Sequence, residues 1–232
     1  MNMSWVVLFD WDGTIINSLD LKIANAARLF HDALGIEPTK VATSYRWHSG
    51  IPRHQLFNAI CADNGLPPLN PAQFQDLSQR FTELNLSVLT NPQNSAILPR
   101  GTVKALKKLM EQKIPLYISS SATSQEIHHI AKSLNLESYF NEILGSSPGF
   151  SKGREHILHV KSKQKTTLDR IVFVGDEPND IQLGKSAGVH TIAIIGTHPR
   201  EELLNAKPDY IIQSMPELLN ILDKSSLYFD HN

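Results

Sequence analysis

The sequence predicts an α/β fold built on a parallel sheet, and three observations predict it. Six short apolar runs, near residues 5–10, 115–119, 141–145, 171–175, 191–195 and 210–212, have the length and composition of buried strands. Segments of helical periodicity such as 102–110 and 124–134 lie between them, and strands alternating with such helices argue for a parallel sheet covered on both faces. Two of the runs end abruptly in acidic residues beside a glycine, which fits sites built at the carboxyl ends of parallel strands.

The first strand, Val6-Val7-Leu8-Phe9, runs into Asp10-Trp11-Asp12-Gly13-Thr14. A carboxylate at the end of a buried strand cannot share that burial without a partner, so this strand delivers charge to a site. Asp10 and Asp12 alternate with Trp11 and can lean toward one point if the backbone turns, which Gly13 allows. Such a pair suits a metal and a nucleophile. Asp12-Gly13 is equally a hairpin signal with Thr14-Ile15-Ile16 as the returning strand, and on this segment alone both readings stand.

From Ser18 to about residue 92 the pattern changes to helical segments near 20–34, 53–63 and 71–88 without a convincing strand. This is a helical insertion between the first and second strands. Asn91-Pro92-Gln93-Asn94, ahead of Leu98-Pro99-Arg100-Gly101, reads as the returning hinge, which divides the chain into a core of 1–17 with 93–232 and an inserted domain of 18–92. Within the insertion, Gly50-Ile51-Pro52-Arg53 is a Gly-Pro loop that leads into a helix with Arg53 at its start.

The second strand, Leu116-Tyr117-Ile118, ends in Ser119-Ser120-Ser121, which could also be an ordinary strand-to-helix loop. Lys152 stands between Ser151 and Gly153 at a helix start. His156 and His159 follow one helical turn apart, but no third His or Cys lies at metal-ligand spacing, so a solvated helix face is expected. The strand Ile171-Val172-Phe173-Val174 then ends in Gly175-Asp176-Glu177-Pro178-Asn179-Asp180. Those residue types also make turns and helix caps. A second acidic strand end so far from the first makes coincidence the weaker account.

In these residues the chain resembles the haloacid dehalogenase superfamily of phosphohydrolases, in particular its phosphoglycolate phosphatase- and β-phosphoglucomutase-like members. The Asp-x-Asp-x-Thr motif is matched by Asp10, Asp12 and Thr14, and Gly-Asp-x-x-x-Asp by Gly175, Asp176 and Asp180. Ser119 takes the place of the second motif's Ser or Thr, and Lys152 that of the motif lysine, all in family order. The resemblance implies a Rossmann-like core, a small α-helical cap in the insertion and Mg²⁺ as cofactor. Asp10 is then nucleophile and metal ligand, Asp12 is general acid and base and a ligand through its backbone carbonyl, Asp176 is a ligand, and Asp180 supports that shell or pairs with Lys152. Ser119 and Lys152 stabilise the transferring phosphoryl group, and Gly13, Thr14 and Ser120 lie along the substrate. Arg53 falls in what resembles the substrate-contacting cap loop, where it either grips a second anionic group or is plain surface.

Relatives that cleave carbon–phosphorus bonds share the Trp after the first Asp but carry Ala at the position of Asp12. Haloacid dehalogenases lack the second Asp. Sugar-phosphate mutases usually present a His where Lys22 aligns, so net hydrolysis is the expectation, with a mutase or a catalytically silent binding module as alternatives. Glu177 replaces the common Ser or Thr after the fourth-motif Asp, as an added ligand or a rim residue.

Composition sets the remaining bounds. With 22 basic against 23 acidic residues there is no electrostatic case for nucleic acid or an anionic membrane as partner, and the expected partner is a small phosphate ester. Cys61, the single cysteine, lies in an apolar helical pattern, fits a reducing compartment and excludes an internal disulfide. No run is long enough to span a membrane and no basic leader precedes an apolar core, so a cytoplasmic location is expected; a monomer is one option for the oligomeric state, which the sequence leaves open.

Overall fold

The computed structural model describes residues 5–91 and 97–224, which fall into two compact units. The chain leaves the first after Asn17 and returns to it at Leu98. Residues 92–94 of the expected hinge lie outside the described residues.

The first unit is a six-stranded, wholly parallel sheet: β1 (Val6–Phe9), β2 (Leu116–Ser119), β3 (Glu142–Leu144), β4 (Ile171–Gly175), β5 (His190–Ile194) and β6 (Tyr210–Ile212). The spatial order is β3-β2-β1-β4-β5-β6. The direction of winding reverses between β1 and β4, so their carboxyl ends open a crevice where doubly wound sheets place their sites. Phe9 pairs with Val174 and with Ile118, which puts Asp10 level with Gly175 and Ser119, with Asp176 one residue beyond.

β1, β2 and β4 are buried along their whole lengths. A parallel strand covered on both faces has no polar side to show, which is why these runs are continuously apolar. Side chains nevertheless alternate between faces. Val6, Leu8, Tyr117, Ile171 and Phe173 pack on one face against Ile157 and Val160 of α7 (Arg154–Gln164). The same alternation carries Asp10 and Ser119, two residues beyond Leu8 and Tyr117, to the side that α7 covers. Of the other helices of this unit, α5 (Thr102–Glu111), α6 (Ser124–Ser133) and α8 (Pro178–Ala187) follow the predicted pattern of alternation, with α9 (Arg200–Asn205) and α10 (Met215–Lys224) after them.

The second unit is helical: α1 (Leu19–Leu34), α2 (Pro38–Trp47), α3 (Arg53–Asp63) and α4 (Pro71–Leu89). Its core is aromatic, with Phe57 edge-on to Phe30 at 5.0 Å and to Phe81 at 5.5 Å between ring centroids. Cys61 is buried in that core. α4 starts on a capping box between Asn70 and Gln73. The helix α2 is absent from the sequence-level expectation because its β-branched and hydroxyl residues (Thr39, Val41, Thr43, Ser44) are indifferent helix formers. No described helix is long and apolar enough to cross a membrane.

Candidate active site

After Phe9 the chain neither continues as a strand nor forms a hairpin. The Asp10 N–H still donates to Val174 O at 2.8 Å, which ties the start of the turn to β4. The chain then closes on itself, with Gly13 N–H donating to Ile16 O at 2.7 Å and the N–H groups of Ile15 and Ile16 both donating to Trp11 O. Gly13 has φ +87°, and a Cβ there would overlap the Asp176 carboxylate. Glycine is required twice over, once by the left-handed backbone and once by the close approach of β4's acidic end. The hairpin alternative fails because these bonds coil Thr14-Ile15-Ile16 back over the strand end.

Four charged side chains meet at the crevice. Lys152 Nζ lies 2.6 Å from Asp10 Oδ1 and 2.6 Å from Asp180 Oδ1, and all three residues are buried. Asp176 is buried beside them, and one carboxylate oxygen each from Asp10, Asp176 and Asp180 lies within 4.8 Å of the others. Asp180 Oδ2 accepts from the N–H of Glu177, so this residue also caps the start of α8. A Cβ at position 175 would overlap the Asp180 carboxylate, which accounts for Gly175 ahead of Asp176.

Three buried carboxylates against one ammonium leave negative charge uncompensated. Burial, reinforced by Asp180 and Asp176 and opposed by Lys152, raises the Asp10 pKa well above the ordinary value. Burial and Asp180 likewise raise Asp176 to about 6, against hydrogen bonds from Thr197 and Thr14 and the charge of Lys152. Burial opposes the Lys152 ammonium, but Asp10, Asp180 and Glu177 outweigh it and hold it charged. An all-oxygen donor set with excess negative charge and a compact spacing suits a hard divalent cation such as Mg²⁺. The residues present fit that ion.

The remaining sequence-level candidates divide. Thr14 Oγ1 donates to Asp176 Oδ1 at 2.8 Å, so its hydroxyl orients a carboxylate of the cluster. Ser119 is buried at the end of β2, and its Oγ lies 2.9 Å from Nδ1 of His156. Ser120 is turned into its own loop: its Oγ accepts from Ala122 N–H and its carbonyl from Ser146 Oγ, the local turn chemistry that a serine run invites. Asp12, unlike Asp10, is partly exposed. In the helical unit, Arg53 Nη1 donates to Ser78 O, Ser78 Oγ and Thr82 Oγ1, and the guanidinium lies 5.0 Å over the Phe81 ring, tying α3 to α4. Lys22 is buried on α1.

Two residues of the site escape a reading of the sequence alone. Thr197, in the loop after β5, donates from Oγ1 to Asp176 Oδ2, so both oxygens of that carboxylate are fixed by threonines. The available signal was its place just past a third parallel strand end, next to β4. The other is His156, which contradicts the expectation of a solvated face: it is fully buried with Ser119, whereas His159 is partly exposed and bonds Glu142 Oε2 at 2.8 Å. Its clue was its place in the first turn of the helix that follows Lys152.

Comparison with known proteins agrees with this geometry. The profile of the haloacid dehalogenase-like hydrolase family matches residues 7–194. A phosphoglycolate phosphatase of Synechococcus elongatus is 26% identical over 216 residues, covering 92% of this chain and 94% of its own. A pyrophosphatase PpaX of Halalkalibacterium halodurans is 26% identical over 221 residues, covering 93% and 95%. The crystal structure of a β-phosphoglucomutase from Clostridium difficile superposes with a TM-score of 0.79 at 18% identity, over 99% of this chain and 100% of that one, which is a likeness of fold.

Proposed function

The chain belongs to the haloacid dehalogenase-like hydrolase family, and we propose that it is a Mg²⁺-dependent phosphatase that hydrolyses a small phosphate monoester through an aspartyl-phosphate on Asp10. The observation that carries the proposal is the buried Asp10–Lys152–Asp180 contact beside Asp176 at the switch point of the sheet. Asp10 Oδ1 is held by Lys152, and Oδ2 is the oxygen assigned to attack phosphorus. Attack forms the Asp10–phosphorus bond and breaks the ester bond, splitting one difficult displacement into two easier ones. Lys152 and the Ser119 hydroxyl balance charge on the phosphoryl oxygens in a water-poor site.

Asp12 protonates the departing alkoxide and then takes a proton from the water that hydrolyses the aspartyl-phosphate. The contrast in burial supports this division of labour, since a partly exposed carboxylate can exchange protons while a desolvated one is the stronger nucleophile. Asp10 and Asp176, with the backbone carbonyl of Asp12, would hold Mg²⁺, which when bound offsets the carboxylate charge and polarises the phosphoryl oxygens. Asp180 keeps Lys152 in place. The helical unit serves as the cap that selects among leaving groups, because the core residues address only the phosphoryl group. Lys22, where the mutases present a His, favours water as the acceptor.

Release of inorganic phosphate from an aryl phosphate, measured with Mg²⁺ and in excess chelator, tests the proposal. Chelation is expected to abolish turnover reversibly, with Mg²⁺ restoring it and Ca²⁺ doing so poorly, because Ca²⁺ prefers a larger and looser shell. Full activity in chelator would overturn it.

A further inference from the structure

We infer that His156 is a positioning residue for phosphoryl transfer: its Nδ1–H donates to Ser119 Oγ and so directs the Ser119 hydroxyl proton toward the substrate phosphoryl group. The inference rests on the phosphatase reading and adds to it a group that none of the family motifs supplies.

The geometry leaves two ways to share the hydrogen bond. If Ser119 donated to an unprotonated Nδ1, the neutral ring would carry its proton on Nε2, and Ser119 would present lone pairs to an anionic phosphoryl group. Nε2 is buried without a hydrogen-bond partner. A buried N–H without an acceptor is rarer and costlier than a buried acceptor with a lone pair unused, so the proton belongs on Nδ1. Ser119 then accepts from the imidazole and keeps its own O–H for the phosphoryl oxygen, the use a phosphate site needs.

The ring is held rather than mobile. It is fully buried, its centroid lies 4.5 Å from that of Phe150 with the rings tilted at 47°, and α7 fixes its backbone four residues after Lys152. Burial pushes its pKa down to about 4, which keeps it neutral under ordinary conditions. One helix start therefore sets two parts of the site together: Lys152 against Asp10, and His156 against Ser119.

A double-mutant cycle read by steady-state kinetics, combined with nitrogen NMR of the wild-type imidazoles, tests the inference. Ser119→Ala is expected to lower kcat about 10²-fold, as loss of one preorganised donor does. His156→Ala should lower kcat about tenfold with little change in KM, because the hydroxyl is still present but no longer aimed. His156→Asn, whose amide sits as far from the backbone as Nδ1, should recover part of that loss. In the Ser119→Ala background His156→Ala should cost nothing further, since there is no hydroxyl left to aim. The wild-type NMR spectrum should show His156 as the neutral Nδ1–H tautomer, an observation that does not depend on any variant folding. An Nε2–H tautomer, or losses that add across the cycle, would overturn the inference. A wild type that shows the Nδ1–H tautomer but releases no phosphate from any ester would overturn the phosphatase reading, and with it the role of His156, while the hydrogen-bond assignment stands.

Discussion

Asp10→Asn is expected to lower turnover by several orders of magnitude while the protein stays folded. The substitution keeps the side-chain shape but removes the anionic nucleophile, so the covalent step has no attacking oxygen of comparable strength. It also removes a buried charge whose desolvation, reinforced by Asp180 and Asp176, raises the pKa of Asp10. Thermal stability without ligands should therefore be unchanged or higher, even though Lys152 loses one of its two ion-pair partners. Loss of activity with retained or increased Tm separates a chemical role from a structural one. Near-normal turnover in this variant would end the covalent account.

Asp12→Ala should act on different steps. The backbone carbonyl at position 12 is unchanged, so metal and phosphate binding should persist, while both protonation of the leaving group and breakdown of the intermediate slow by about 10²–10⁴-fold, the usual worth of general acid–base assistance. Leaving groups divide the two. In the phosphorylation step measured alone, an aryl phosphate with an acidic phenol needs little protonation and should lose much less than an alkyl phosphate. Equal losses for the two would show that Asp12 is not the acid.

The parts of this site that could be read from the sequence are those where chemistry interrupts a pattern. Asp10 and Asp176 stand out because a fully buried parallel strand has no reason to end in a carboxylate, and the glycines beside them mark the close backbone approach that the structure shows. All six strands were legible for the same reason, since continuous apolar runs admit few other uses. His156 was not legible because the surrounding helix is strongly polar, with Lys and Glu neighbours, and only the three-dimensional position of α7 over Ser119 makes one of its polar residues interior. Thr197 lay in a loop whose residues carry no periodicity, and its use depends on β5 lying next to β4. Ser120 and Thr14 show the converse limit. Their type fits phosphate contact, yet a hydroxyl bonds the nearest suitable group, which here is a loop amide for one and the Asp176 carboxylate for the other.

The measurement that bears most directly on the covalent mechanism is acid quenching of Asp12→Ala during turnover, followed by proteolysis and peptide mass spectrometry. Slowed breakdown should let the phosphorylated enzyme accumulate, with the added phosphoryl mass confined to the peptide that carries Asp10 and removed by hydroxylamine, as an acyl phosphate requires. Phosphoryl mass on another residue, or turnover continuing with no phosphorylated peptide at any quench time, would contradict the account.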